Sequence, residues 1–264
     1  MVERLNTEKV AVIGGAGRVG LGMSIVLANA GFQTYGVDLD ESKNNTIMSG
    51  EMPHVEDEGP ESLKMALASG RLTMTTGHDD LEDCGTIIVT IGTPVDEHLN
   101  PVTYPLEELF QQLSGVIHAG QMVILRSTVS PGTTDQIKSV LEKLTGLKVG
   151  EDIDLVFAPE RTAEGKAMLE ITEMPQIIGG IDRASTSRAA DFFSKFNKNI
   201  KQVSSPETAE LIKLVDNCTR DLGFSVANEI GNMCDSLNLD VYEVIGNATD
   251  KYPRTNIPLP GLVG

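Results

Sequence analysis

The sequence predicts a doubly wound, mostly parallel α/β sheet of the Rossmann type that runs into one long helix, and three observations carry that prediction. A strand-like run, Lys9-Val10-Ala11-Val12-Ile13-Gly14, enters a glycine turn followed by an apolar-periodic segment. From there to Val203, short apolar runs alternate with amphipathic stretches of helical period, the pattern of parallel strands joined by crossover helices. At Ser205 the alternation stops and about 30 residues without proline keep helical periodicity.

The glycine turn is Gly15-Ala16-Gly17-Arg18-Val19-Gly20. Gly15 permits the tight turn, Gly17 lets the backbone approach a pyrophosphate, and Gly20 lets the next helix pack closely on the strand. Val19, Met23, Val26, Leu27 and Ala30 give that helix its apolar face, Gly31 closes it, and Gln33 to Val37 begins a second strand. Asp38 follows, 23 residues past Gly15, where a carboxylate accepts hydrogen bonds from a ribose diol and repels a 2′-phosphate. Strand, turn, helix and acid together spell a dinucleotide-binding unit that favours NAD over NADP; an ordinary turn without ligand is the alternative.

The stretch after Asp38 reads as a partly irregular helical insert through Gly70, with Ser62 to Ser69 its best helix, then a strand at Arg71 to Thr75. Thr86 to Gly92 is apolar throughout, as strands buried on both faces are. Helices at Pro105–His118, Thr133–Leu144 and Ala184–Phe196 alternate with strands at Met122–Arg126, Ile153–Phe157, Gln176–Gly179 and Ile200–Val203. Ser205 stands in cap position before Pro206 and Glu207, and the helix it opens, about 45 Å long, exceeds what one compact domain covers. Asp240 caps a shorter helix ending near Asn247, and Asn256 to Gly261 is extended or looped.

Composition narrows the function. The 264 residues carry 38 acids against 21 Lys plus Arg, a formal charge of −17, which disfavours a phosphate-tracking nucleic-acid surface. No apolar stretch approaches the roughly 20 residues of a membrane span, and the start, Met1 to Asn6, is too polar for a signal peptide, so a cytoplasmic protein is expected. Cys84, Cys218 and Cys234 lack metal-ligand spacing. The last two share one helix at a separation of roughly 24 Å, so burial is the expected role of all three. His54, His78, His98 and His118 are scattered, and no metal is predicted.

Ligands of such sheets bind beyond the carboxyl ends of the strands, so the residues just after each strand are the candidates. Gly92-Thr93-Pro94 follows one strand, and Thr93 and Pro94 are candidate cofactor contacts, a plain turn being the other reading. Ser127 to Thr134 joins strand to helix with many hydroxyls and amides, which suits phosphate, ribose or a polarised water; capping by Ser130 or Thr133 is the alternative. Ala158-Pro159-Glu160-Arg161-Thr162-Ala163-Glu164-Gly165 sets two carboxylates four apart, facing one way if the turn is helical. On the long helix Glu210, Lys213, Asn217 and Asp221 form a polar stripe, by default an exposed one.

These pieces, from about Lys9 onward, resemble the UDP-glucose/GDP-mannose dehydrogenase family of NAD-dependent nucleotide-sugar 6-dehydrogenases. Five segments carry the resemblance: GGAGRVG at 14 to 20, TPVDEHLNP from Thr93 to Pro101, RSTVSPGTT at 126 to 134, PERTAEG at 159 to 165 and ETAELIKLVDN from Glu207 to Asn217. The second and fourth look most like the branch that oxidises UDP-N-acetylhexosamines such as UDP-N-acetylmannosamine, with UDP-glucose the alternative substrate. The resemblance implies a role in polysaccharide biosynthesis and oxidation of the sugar C6 alcohol to a carboxylate, in two hydride transfers to NAD, through a cysteine thiohemiacetal and thioester. It implies that Thr128 and Glu160 position or activate water, that Glu164 and Thr128 lie near NAD, and that Lys213 stabilises the oxyanion while Asn217 holds water and sugar. Glu160, Arg161, Lys213, Asn217 and Arg254 are its implied substrate contacts.

The family's nucleophile belongs to a cysteine motif expected just after Pro260-Gly261-Leu262-Val263-Gly264, and none of the three cysteines present fits that part. The expected organisation is therefore an NAD-binding domain over 1–203, then at 204–264 a long connecting helix with the start of a central helical domain. On this reading the nucleotide-sugar domain is expected to be absent and the chain alone to be incomplete. A homodimer through the helix at 206–237 is expected. Two other readings remain: a Rossmann dehydrogenase of the 3-hydroxyacid or 6-phosphogluconate type, which needs no cysteine, and a non-catalytic NAD-binding and dimerisation module.

Overall fold

The computed structural model describes residues 9–78, 81–98 and 102–261; the chain start, the last three residues of the Thr93–Pro101 stretch and residues 262–264 lie outside them. In chain order the elements are β1 (Lys9–Ile13), α1 (Arg18–Asn29), β2 (Gln33–Val37), α2 (Glu41–Met48), α3 (Gly59–Ala68), β3 (Leu72–Thr75), β4 (Thr86–Val89) and α4 (Tyr104–Leu113). They continue with β5 (Met122–Leu125), α5 (Thr133–Thr145), β6 (Asp154–Phe157), α6 (Ala167–Glu173), β7 (Gln176–Gly180), α7 (Arg183–Phe193), β8 (Ile200–Gln202), α8 (Pro206–Leu237) and α9 (Val241–Thr249).

The strands form one eight-stranded sheet in the order β3-β2-β1-β4-β5-β6-β7-β8. Every neighbouring pair is parallel except β6 and β7, so the predicted mostly parallel α/β sheet is what forms. The chain steps outward from β1 to β3 and then crosses back to lay β4 on the other side of β1. That reversal opens a crevice beyond the carboxyl ends of β1 and β4. Strands β4 and β5 are buried at every residue, which is why their sequences are continuous apolar runs rather than alternating ones.

Helix α1 packs tightly on the sheet: Leu21, Met23, Ile25 and Leu27 are fully buried, each contributing about 1.5–3 kcal/mol of burial free energy. Helix α2 lies within the expected helical insert but was not singled out there, and α6 was not anticipated. Helix α2 buries only Asn44 and Ile47, too thin an apolar face to stand out in the sequence, and is capped by Asp40, which accepts from the Lys43 amide at 3.0 Å. Helix α6 is short and buries Ala167, Met168 and Ile171; a β-carbon on Gly22 of α1 would lie 3.0 Å from that of Ala167, so the glycine lets the two helices approach.

By compactness the chain divides into residues up to Leu211 and residues from Ile212 onward. The first turn of α8 belongs to the first unit, where Ala209 and Glu210 are fully buried. Ser205 caps α8 as expected, its hydroxyl accepting from the Thr208 amide at 3.2 Å. In the second unit, Asp240 caps α9 through the Tyr242 amide at 2.8 Å. The tail before Gly261 is held to α8 by Asn228, whose carboxamide exchanges two 3.0 Å hydrogen bonds with the Gly261 backbone. Cys84 and Cys234 are buried as expected, whereas Cys218, on α8, is exposed.

Candidate functional site: the crevice at the carboxyl ends of the strands

At the end of β1 the glycine turn is fastened to β2: the Gly14 and Gly15 amides both donate to the Val37 carbonyl, at 2.8 and 3.0 Å. The left-handed residue of the turn is Gly14, with φ of +80°. Gly15 is required for a different reason: a β-carbon there would sit 2.6 Å from the Gly36 backbone. At Gly20 one would sit 2.1 Å from the Gly14 carbonyl oxygen, confirming close helix–strand packing. Gly17 meets only the Gly14 oxygen, at 3.2 Å, and its outer face is open to the crevice.

Gly17 is also the N-cap of α1, which has no side-chain cap and no acid in its first turn. Its first amides, with the positive end of the helix dipole, face outward as an anion site of pyrophosphate type. Beside it Asp38 accepts from the Ala16 amide through Oδ2 and from the Asp40 amide through Oδ1, both at 3.1 Å, which fixes the carboxylate at the loop. A cavity of about 320 Å³ opens there, lined by Gly14, Gly17, Asp38, His78, Thr90 and Gln112 among others. The cradle fits a dinucleotide: bare backbone for the pyrophosphate, a fixed carboxylate for a ribose and room for a base.

The ends of β4 and β5 meet. The Thr93 hydroxyl donates to the Thr128 carbonyl, and the Ser127 hydroxyl donates to the Ile91 carbonyl at 2.6 Å. Thr93 and Thr128 thus lie together, while Pro94 accepts from the Val102 amide at 3.1 Å. Within the Ser127–Thr134 loop, the alternative of capping α5 by Ser130 or Thr133 is not what forms. The cap residue of α5 is Gly132, and the Thr133 hydroxyl turns back to the Ser130 carbonyl at 2.7 Å. The anion there is the chain's own: Glu210 accepts from the Gly132 amide at 2.7 Å, the Thr134 amide at 2.8 Å and the Thr134 hydroxyl at 2.6 Å. Glu210 is therefore fully buried and not part of an exposed polar stripe.

After β6 the segment from Ala158 to Gly165 is not helical, so Glu160 and Glu164 do not share a helix face. Glu160 turns inward. Its Oε1 accepts from the Arg161 and Thr162 amides at 2.7 and 2.6 Å, and its Oε2 accepts from Arg126 Nη2 at 2.5 Å. Burial pushes this carboxyl upward, but the Arg126 charge and hydrogen bond, with the Thr162 amide, outweigh burial and hold it below the usual carboxylate range. Arg126 also donates to Gln176 Oε1 at 2.9 Å. Glu164 is exposed and ion-paired with Arg18, which ties the 159–165 segment to the glycine turn. Arg161 directs its guanidinium to the Pro175 carbonyl at 3.1 Å.

Between those loops lies a second cavity of about 170 Å³, lined in part by Arg18, Val19, His54, Glu56, Glu160 and Ala163. His54 Nε2 is buried there without a hydrogen-bond partner, and burial lowers the imidazole pKa, so the ring is neutral near pH 7. In the second unit Lys213 and Asn217 lie one turn apart on α8, both half-buried, and Arg254 is exposed over the Tyr252 ring at 5.1 Å. Sequence reasoning missed Arg126, Gln176 and His54 as site residues and read Glu210 only as part of an exposed stripe. A signal existed for Arg126, a lone charge ending an apolar strand run; for Glu210 there was none, since its partners are about 76 residues away. Among the described residues no cluster of three or more His, Cys, Asp or Glu could hold a metal, and no helix is long and apolar enough to cross a membrane.

Comparison with known proteins gives consistent results. Residues 8–197 match the NAD binding domain of the UDP-glucose/GDP-mannose dehydrogenase family, and residues 207–264 match that family's central domain. A UDP-N-acetyl-D-mannosamine dehydrogenase of Pyrococcus horikoshii is 32% identical over 254 residues, covering 96% of this chain and 60% of that protein. The solved structure of the Pyrococcus enzyme superposes with a TM-score of 0.89 over 96% of this chain and 60% of its own. An NDP-N-acetyl-D-galactosaminuronic acid dehydrogenase of Ralstonia solanacearum is 30% identical, covering 97% of this chain and 61% of that one. The chain thus spans about 60% of the length of these curated relatives.

Proposed function

Because the chain belongs to the UDP-glucose/GDP-mannose dehydrogenase family, we propose that it forms the NAD-binding part of a nucleotide-sugar 6-dehydrogenase whose substrate is a UDP-N-acetylhexosamine of the UDP-N-acetylmannosamine type. The observation that carries the reading is the meeting of four loops in two pairs at the carboxyl ends of the strands: the Arg18–Glu164 pair joins the glycine turn to the 159–165 segment, and the Thr93–Thr128 hydrogen bond joins the ends of β4 and β5. NAD supplies the hydride acceptor for the sugar C6. In this reading the amides at the start of α1 hold the pyrophosphate, Asp38 holds the adenosine ribose, and the loops after β4 and β5 receive the nicotinamide half.

Glu160 is ionised and accepts two amides and a guanidinium, so it orients a water by accepting its hydrogen bond rather than by taking its proton. Thr128 adds a hydroxyl at the same crevice. Lys213 stabilises negative charge developing on the C6 oxygen, and Asn217 hydrogen-bonds sugar and water. Arg161 and Arg254 are the remaining candidate substrate contacts. None of the cysteines acts as nucleophile in this reading: Cys84 and Cys234 are buried, and Cys218 is on the exposed side of α8. Steady turnover of UDP-N-acetylmannosamine by these 264 residues alone would overturn that last statement.

The test begins with calorimetry, where absence of NAD binding sinks the whole assignment. The first hydride transfer, which needs no thiol, is then compared as single-turnover NAD reduction with UDP-N-acetylmannosamine and UDP-glucose. Faster reduction with UDP-glucose moves the substrate to the other branch.

The partner on α8 is a second copy of the chain. Leu211, Leu222 and Met233 recur every 11 residues, as do Val215, Val226 and Leu237, and all six are between 49% and 67% exposed. An 11-residue period follows a nearly straight helix, so the six form one continuous stripe along α8. An unbroken apolar stripe of this length demands cover, and a two-fold pairing of the helix with itself supplies it.

A further inference from the structure

We propose that Glu210 is a positioning residue for the nicotinamide half of the cofactor site, holding the Ser127–Thr134 loop from the first turn of α8. The argument begins with the contrast between two helix starts at the same crevice. Helix α1 begins without a side-chain cap, its amides facing the ligand, whereas α5 begins with a buried carboxylate already seated on it. The second start is closed to phosphate, and its electrostatics are spent on fixing a loop.

The chemistry of the clamp is specific. All three groups around Glu210 donate to it: the Gly132 amide to Oε2, and the Thr134 amide and hydroxyl to Oε1. Only an acceptor at both oxygens satisfies them. Gly132 itself takes a left-handed bend, with φ of +91°, which glycine adopts without strain, and the bend presents its amide to the carboxylate. Upstream in the same loop, Thr128 receives the Thr93 hydroxyl and Ser127 is bound to Ile91. The loop is thus pinned at one end to β4 and at the other to Glu210, with Thr128 between. Every contact lies within the first compact unit.

The position on the sheet says which half of the cofactor depends on this. Asp38 marks the adenosine side at β2, and β4 and β5 lie across β1 from it. The loop after β5 therefore serves the nicotinamide half, and this step rests on the cofactor orientation proposed above. A purely structural clamp would alter stability and affect both halves alike. A positioning role alters one half.

The experiment measures NAD and ADP-ribose affinities by calorimetry for the 264-residue chain and its variants. Glu210→Gln turns an amide donor toward one of the three donors, and the preference for NAD over ADP-ribose is expected to fall by about tenfold. Thr134→Val removes one of the three bonds and keeps both backbone ones, so a smaller loss, about threefold, is expected even if the first variant does not fold. A preference unchanged in both variants, whether the two affinities hold or fall together, overturns the proposal. A wild-type chain with no preference for NAD over ADP-ribose overturns both the orientation and this inference, while one that binds neither overturns the NAD-binding reading itself.

Discussion

Arg126, at the end of β5, and Glu160, just past β6, form an ion pair whose side chains are only 2% and 11% exposed. The pair joins adjacent strand ends below the crevice. Gln176 of β7 takes a second guanidinium nitrogen, and the Phe193 ring lies 5.6 Å from the guanidinium carbon. A charge so placed is tolerable because each partner is hydrogen-bonded as well as paired.

Removing one partner should therefore be costly. Arg126→Met leaves the Glu160 carboxylate buried with only its two amides, and a loss of about 3–5 kcal/mol is expected at neutral pH. The pH dependence has a definite sign. In the wild type the folded pKa of Glu160 is depressed, so its contribution is complete above the unfolded value, near 4.3, and disappears as pH falls through the folded one. In the variant burial acts without the arginine, the carboxyl takes up a proton earlier, and the penalty is relieved by acid. Urea unfolding should show the gap between the two proteins narrowing from neutral pH to about pH 4. A gap that is constant with pH would mean that Glu160 is not the group left uncompensated.

The glycine turn separates packing from binding. Gly20→Ala puts a β-carbon 2.1 Å from the Gly14 carbonyl oxygen, so α1 must move, and a stability loss of about 1–3 kcal/mol is expected. Gly17→Ala meets that oxygen at 3.2 Å, so the turn must give by a few tenths of an ångström, and it should cost clearly less stability than Gly20→Ala. In the proposed orientation its methyl group stands where the pyrophosphate approaches, and NAD affinity should drop by at least about tenfold. Thermal melts and NAD titrations of both variants check the split; equal NAD binding by Gly17→Ala and wild type contradicts it.

Local features were legible in the sequence because their causes are local. The Gly15–Gly20 turn, Asp38 at the end of β2, Ser205 as the cap of α8 and the continuous apolar runs of β4 and β5 each follow from neighbours a few residues apart. Distant pairings were not. Arg126 finds Glu160 34 residues on and Gln176 50 residues on, and the partners of Glu210 precede it by about 76. Periodicity carries no record of such pairs, so Glu210 read as one more polar residue on a helix stripe. In the turn the motif identified the right glycines; Gly14 takes the left-handed bend, and Gly15 is needed for its contact with the Gly36 backbone.

In the proposed cofactor orientation Asp38 is the residue that sets cofactor choice. Its two oxygens accept the Ala16 and Asp40 amides, which keeps a negative charge fixed where a ribose diol would bind. Asp38→Asn preserves the shape, removes the charge and presents a donor to one of those amides. NAD should bind about tenfold more weakly, and the discrimination against NADP should relax because the 2′-phosphate no longer meets a carboxylate. Parallel titrations with NAD and NADP check this, and an unchanged ratio of the two affinities would remove Asp38 from the ribose.

The stripe on α8 yields the prediction about assembly. Leu222 and Val226 stand at its middle, one turn apart, 65% and 49% exposed in the isolated chain. In a two-fold pairing of antiparallel helices the middle of the stripe faces itself, so one substitution appears twice at the axis. Leu222→Asp there sets two carboxylates close together in an apolar contact, combining lost burial with like-charge repulsion and desolvation. The wild-type chain should sediment as a dimer and the variant as a monomer at the same concentration. The glycine turn lies in the other compact unit, so NAD affinity should be retained by the monomer. A wild-type chain that is already monomeric across the micromolar range, or a variant that stays dimeric, would show that the stripe is covered by something other than a second copy.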